Sequence, residues 1–259
     1  VTFTPTSDIP PKHPICYLAE DADGQAPTCV TYGAHPQGSV KFQSQVKKSP
    51  ISDVVADTLE LPREHGAPKK GPSWKHWQRD LDQMAHPKGG TMKPKILRQA
   101  FDDLSRKFRS YVKDSEKEHL IHPYPDHVVL SGMDGISSVD KVDINTSMGW
   151  PLNKSKKFFL QPSEKEYPGV TQPLEFMEDS PVQWSDINAM EEELAQGRRV
   201  NIVFRGNLKD EPTKFTKDKV RVFAGSEFAF TCLVRRYYLP LVRMIQDSEG
   251  QLECSVGVN

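Results

Sequence analysis

The sequence predicts an α+β fold, and three observations carry that reading. Residues 93–114 and 226–246 space their apolar side chains at helical intervals, a shorter helical pattern follows Ser185, and two short runs rich in β-branched and aromatic residues flank a basic loop. About a third of the chain is apolar (36%), enough to form the core of one large or two small domains. No run approaches the roughly 20 apolar residues needed to span a bilayer, and no basic-then-apolar signal segment opens the chain. The expectation is a protein neither secreted nor integral to a membrane.

Taken in order, residues 1–45 are rich in Pro, Gly and Thr and read as an extended arm of unknown role, with a short hairpin at about 29–42. Residues 46–259 form the second expected region. Within it, Pro68, Gly71 and Pro72 mark a loop, and a helix follows at 93–114. There Ile96, Leu97, Ala100, Phe101, Leu104 and Phe108 fall on one face and Arg98, Arg106, Lys107 and Arg109 on another. That basic side is a solvated face or one that touches RNA. Ser185 is the expected cap of a helix reaching Gln196, with Ile187, Met190 and Leu194 on one side and Gly197 as the stop. Strands are expected at 200–204 and 220–223, separated by Pro212, Thr213 and Thr216. Ser226 is the expected cap of a last helix to Gln246, whose stripe of Phe230, Leu233, Val234, Tyr237, Leu241 and Ile245 is interrupted by Pro240.

The four cysteines, Cys16, Cys29, Cys232 and Cys254, are far apart and form no Cys-x-x-Cys pair, so neither a redox motif nor a disulfide framework is indicated. His13, Cys16, Cys29 and His35 have the donor atoms of a zinc site, but their spacing matches no ligand turn, and unligated residues are the plainer reading.

The chemistry concentrates in two loops. Residues 208–223 place Lys209, Lys214, Lys217, Lys219 and Arg221 in one short window of a chain whose formal net charge is −1. Cations spaced along extended backbone suit a polyanion whose phosphates must be held in register, a nucleoside triphosphate or RNA. A solvated lysine-rich loop is the alternative. Asp210 and Glu211, inside that cluster, read as ion-pair partners that orient the lysines rather than as catalytic acids. The second loop is Thr146-Ser147-Met148-Gly149-Trp150-Pro151. Thr146 and Ser147 can donate to phosphate, Gly149 lets a strand of nucleic acid approach the main chain, Trp150 offers a stacking face, and Lys154, Lys156 and Lys157 just downstream add sequence-independent attraction for the backbone of that strand. A plain turn around a buried Trp is the alternative.

Lys209-Asp210-Glu211-Pro212, a basic spacer and Lys219-Val220-Arg221-Val222-Phe223 resemble the segment with which RNA-directed RNA polymerases of picornavirus-like (Picornavirales) positive-strand RNA viruses meet the incoming nucleotide. The Thr146–Pro151 motif resembles the Thr-Ser-x-Gly-aromatic-Pro signature lining their template channel. Ser255-Val256-Gly257-Val258-Asn259 is similar to the segment shortly before their first catalytic aspartate. The turn Ser131-Gly132-Met133-Asp134-Gly135 also resembles that family, without implied chemistry. The likeness reaches back loosely to about Lys41.

The resemblance implies the fingers portion of a right-hand polymerase leading into the palm, with most of the palm and all of the thumb absent, and because the chain opens on Val1 and ends at Asn259 inside a matching segment, the expectation is a piece of a longer chain, a polyprotein. It assigns Lys209, Lys219 and Arg221, with Lys214 and Lys217, to the nucleoside triphosphate, and Thr146, Ser147, Gly149, Trp150 and Lys154 to template RNA. The implied cofactor is Mg2+ or Mn2+, held by carboxylates outside these residues, so no catalytic or metal-binding residue is expected here. Phe101-Asp102-Asp103 imitates the family's Gly-Asp-Asp hairpin, but on a helix adjacent side chains diverge. Implied partners are template and primer RNA, nucleoside triphosphates, the remaining palm and thumb and other viral replication proteins, and the implied location is the host cytoplasm at membrane-associated replication complexes. Two other readings stay open: a non-catalytic RNA-binding segment of a viral polyprotein, and an interaction segment working through the N-terminal arm.

Overall fold

The computed structural model describes residues 43–71, 75–85, 93–114, 121–198, 200, 202–248 and 251–252. The N-terminal arm up to residue 42, its expected hairpin, His13, Cys16, Cys29 and His35, and the 255–259 motif lie outside the described residues. The chain divides into two compact units, one of Val1–Gly90 with Arg205–Gly225 and one of Thr91–Phe204 with Ser226–Asn259.

The first unit contains helices α1 (Ser52–Thr58) and α2 (Lys75–Ala85) and two short antiparallel ribbons. Strand β1 (His65–Gly66) pairs with β5 (Thr213–Lys214), and β4 (Arg205–Leu208) pairs with β6 (Val222–Gly225). Pairing begins at Arg205, not within 200–204 as the Val-Asn-Ile-Val-Phe pattern suggests, and β6 starts two residues later than expected. The ladder register fixes these limits, because Arg205 faces Gly225 and Leu208 faces Val222. Apolar character alone does not supply a partner strand.

The second unit holds α3 (Pro94–Asp114), α4 (Asp126–Ser131), the β2 (Leu160–Pro162) and β3 (Leu174–Phe176) ribbon, α5 (Trp184–Ala195) and α6 (Phe228–Asp247). Val129, Leu130, Met148, Ile187, Phe228 and Cys232 are at the centre of its main core. Burial pushes the Cys232 thiol up to about 12, so it behaves as a small apolar side chain. A smaller cluster joins Tyr111 and Val112 of α3 to Met244 and Leu252.

Two expected caps differ. Helix α5 starts at Trp184 with Gln183 as the flanking residue, and the Asp186 carboxylate accepts the Gln183 N–H at 2.8 Å. Ser185 therefore lies inside the first turn. Helix α6 is flanked by Glu227 rather than Ser226, and it runs through Pro240 without stopping.

Candidate nucleic-acid interface

In the first unit the basic loop is a continuation of the β4–β6 ribbon. Lys209 N–H donates to the Arg221 carbonyl at 2.8 Å, extending the pairing by one step beyond Leu208 and Val222. Helix α2 braces the ribbon from one side. The Trp77 indole donates to the Gly206 carbonyl at 3.0 Å, and a Cβ on Gly206 would meet the indole at 3.1 Å. Val220 is buried, and its N–H donates to His76 Nδ1 at 3.4 Å while His76 Nε2 faces the Lys69 carbonyl at 3.2 Å. These contacts fit a neutral ring with its proton on Nε2, and burial holds the His76 pKa below its ordinary value.

Charge within the loop is arranged by the two carboxylates. Glu211 bridges Lys209 at 2.9 Å and Arg221 at 2.8 Å, and the bond from Lys209 holds its carboxyl below the usual range. Asp210 accepts from the Ser44 hydroxyl and the Gln45 N–H, both at 2.6 Å, and pairs with the buried Lys70 at 3.1 Å. The Ser44 and Gln45 bonds, ahead of Lys70, depress its pKa. Both acids are ion-pair partners, as the sequence suggests, but the partners of Asp210 come from far upstream. Lys214 pairs with Glu64 at 2.8 Å. Lys217 and Lys219 are exposed and have no ion-pair partner among the described residues.

In the second unit, residues 146–155 form a tight double-backed loop. Met148 N–H donates to the Lys154 carbonyl at 2.8 Å, Asn153 N–H to the Gly149 carbonyl at 2.7 Å, and Ser147 lies opposite Ser155. The Trp150–Pro151 bond at the tip is cis. Met148 is buried at the root, and its carbonyl accepts the Phe228 N–H at 2.8 Å. That donor is among those a helix start leaves without an internal partner, so the loop caps α6 through its backbone.

Gly149 has φ +81°, and a Cβ there would overlap the Ser226 carbonyl oxygen and come within 2.8 Å of Glu227 Cα. The close approach that calls for glycine is therefore made by the chain's own backbone at the start of α6. Lys156 also differs from its expected role beside the template. It is buried, donates to the Thr146 hydroxyl at 2.6 Å and the Ser147 carbonyl at 2.8 Å, and sits 4.9 Å from the Phe228 ring centre. Burial lowers its pKa. The Thr146 hydroxyl also donates to the Asp143 carbonyl, and the Ser147 hydroxyl accepts the Gly149 N–H. Lys154 is exposed, and Trp150 is half-buried.

The viral RNA-dependent RNA polymerase family model matches residues 93–259. The chain belongs to that family. It is 33% identical over 141 residues to the RNA1 polyprotein of tomato torrado virus, a match covering 51% of this chain and 6% of the polyprotein. It is 26% identical over 122 residues to the replicase polyprotein of Drosophila C virus, covering 46% and 7%, and 30% identical over 122 residues to the genome polyprotein of avian encephalomyelitis virus (strain Calnek vaccine), covering 46% and 5%. The chain thus spans less than a tenth of each of these polyproteins. Its fold matches a sicinivirus 3Dpol RNA-dependent RNA polymerase with a TM-score of 0.53 at 18% identity, over 88% of this chain and 44% of that one. The α+β expectation holds, and the structure corresponds to part of a picornaviral-type polymerase.

The family implies dependence on divalent metal ions in general. No group of three or more His, Cys, Asp or Glu side chains that could hold a metal comes together among the described residues. Asp103 instead pairs with Arg106 at 2.9 Å on the surface of α3. The described residues do not fit a metal pair. No helix among them is long and apolar enough to cross a membrane.

Proposed function

We propose that this chain is the nucleotide- and template-binding fingers region, leading into the palm, of an RNA-directed RNA polymerase that copies a positive-strand viral genome. The observation that supports this best is the braced basic ribbon, with Lys217 and Lys219 exposed and unpaired among the described residues and with Glu211 setting the register of Lys209 and Arg221. Phosphoryl transfer asks the protein mainly for positioning and for stabilisation of phosphate charge. Arg221 offers a planar fork that can grip phosphate on two sides, and Lys209 and Lys219 supply compact charge along the triphosphate path. Lys214 and Lys217 extend that path.

Template RNA is assigned to the loop of Thr146, Ser147, Gly149, Trp150 and Lys154. Trp150 supplies a stacking face and Lys154 sequence-independent attraction, while Gly149 shapes the loop by its fit against Ser226. Mg2+ or Mn2+, primer RNA, the remaining palm and thumb and other replication proteins complete the reading, which locates the activity in the host cytoplasm at membrane-associated replication complexes. Residues 1–45 remain an arm without an assigned role, ahead of the fingers region at 46–259.

The test is Arg221→Ala in the full-length polymerase. The expected loss in kcat/KM for nucleotide corresponds to about 2–4 kcal/mol of transition-state stabilisation, the scale of a lost charge-stabilising donor. Unchanged nucleotide kinetics would remove Arg221 from the triphosphate site.

A further inference from the structure

Helix α3 carries one continuous apolar face but buries only one end of it. Phe108, Tyr111 and Val112, in its last two turns, pack with Met244, Ile245 and Leu252. Ile96, Leu97, Phe101 and Leu104, on the same face toward the N-terminus, are between 54% and 67% exposed. These are four large apolar side chains over little more than two turns of one helix, which singly would need no comment but together form a patch of the kind that marks an interaction surface.

The packed end indicates what continues over the open end. Leu252 is buried in the cluster that packs on the C-terminal end of that face, and this cluster is continuous with the exposed stripe through Phe108. The solved sicinivirus polymerase has more than half of its length without a counterpart here, since the match covers 44% of it. We propose that the exposed stripe of α3 is an internal seam of the full-length polymerase, covered by the stretch of polymerase chain that follows this region. The inference rests on the reading of the chain as part of a longer polymerase. The occupant is an apolar surface extending the Tyr111–Val112–Leu252 cluster along Leu104, Phe101, Leu97 and Ile96.

Cysteine accessibility tests this. Phe101→Cys and Leu97→Cys are introduced separately into this 259-residue chain and into the full-length polymerase, with Arg106→Cys on the polar side as the control and the parent proteins as background. Because both target side chains are exposed here, their replacement is compatible with folding. The expected result for the Leu97→Cys and Phe101→Cys variants is a maleimide reaction at the introduced thiol at least tenfold slower in the full-length protein than in the shorter chain. The Arg106→Cys rate should be alike in both. Equal rates at all three sites would overturn the proposal. So would protection in the shorter chain that grows with its own concentration, which indicates a second copy, or protection of the full-length protein only when phosphatidylserine vesicles are added, which indicates a lipid surface. RNA synthesis by the parent full-length protein is measured in parallel. Protection without synthesis leaves the seam standing and removes the polymerase reading, whereas synthesis without protection does the reverse.

Discussion

The backbone N–H of Tyr124 donates to the carbonyl oxygen of Arg236 at 2.8 Å, and this is the carbonyl that Pro240 leaves without its helical donor. Proline in a helix interior both lacks an N–H and crowds the carbonyl four residues earlier. In α6 a neighbouring segment supplies the missing bond, which is why the helix continues. The Arg236 side chain adds to the same junction. It is 8% exposed, pairs with Asp126 at 2.7 Å and with Glu191, donates to Asn188 at 3.1 Å and lies 5.4 Å from the Trp184 ring centre. One residue thus ties α4 and α5 to α6.

Arg236→Ala is expected to destabilise the second unit by about 1.5–3 kcal/mol, because it removes charge-assisted bonds to Glu191 and Asp126 from a buried guanidinium while both carboxylates keep access to water. Arg236→Lys should recover only part of this, since one ammonium cannot match the planar fork's several bonds. Denaturant unfolding of both variants checks the order.

Gly149→Val is expected to lower folding stability rather than to act on RNA affinity alone. A side chain at positive φ costs about 1–2 kcal/mol by itself, and overlap with the Ser226 carbonyl adds to it. A shifted unfolding midpoint is the expected observation. Native stability with weakened RNA binding would instead favour direct contact between Gly149 and nucleic acid.

Among the loop lysines, Lys217→Ala and Lys219→Ala are each expected to weaken nucleoside triphosphate binding by the full-length polymerase and to flatten its dependence on salt, since each removes one exposed cation from the triphosphate path. Lys214→Ala should change it less, because Glu64 already neutralises that charge. Titrations at four or five salt concentrations distinguish the three.

His76 gives a pH dependence. Its folded pKa lies below the ordinary value of 6.5, chiefly through burial, so between the two values the unfolded chain binds more protons. Its contribution to stability is therefore fully present above pH 6.5 and is lost as pH falls through the folded value. His76→Gln should flatten this part of the stability profile as pH falls below 6.5, measured by denaturant unfolding.

How far the sequence announced these features depends on where each interaction partner lies. The α3 helix was legible almost to its ends, 93–114 against Pro94–Asp114, because its apolar spacing runs unbroken. The caps were less so. Ser185 and Ser226 have favourable side chains, yet at α5 the Asp186 bond places Gln183 ahead of the first turn, and at α6 the backbone of Met148 does the capping. That Glu211 pairs with a nearby lysine was legible, since Lys209 is two residues away, whereas its bond to Arg221 comes from the far side of the loop and was not. The anchoring of Asp210 by Ser44 and Lys70, and of Lys214 by Glu64, was not, since no local pattern encodes contacts over 140 or more positions. At Gly149 the sequence reading expects a nucleic-acid strand to come close, whereas the close backbone in the structure is the chain's own at Ser226. An α6 start following a Thr-Ser-x-Gly loop by some 80 residues leaves no trace in sequence spacing.

The bond from Phe228 to Met148 makes the head of α6 a reporter for the loop it holds. Pulling the 146–155 loop away from its seat would leave a donor at the start of a twenty-residue helix unsatisfied. Displacement of the loop and fraying of that first helical turn are consequently one event, and the amide of Phe228 is the place to listen for it.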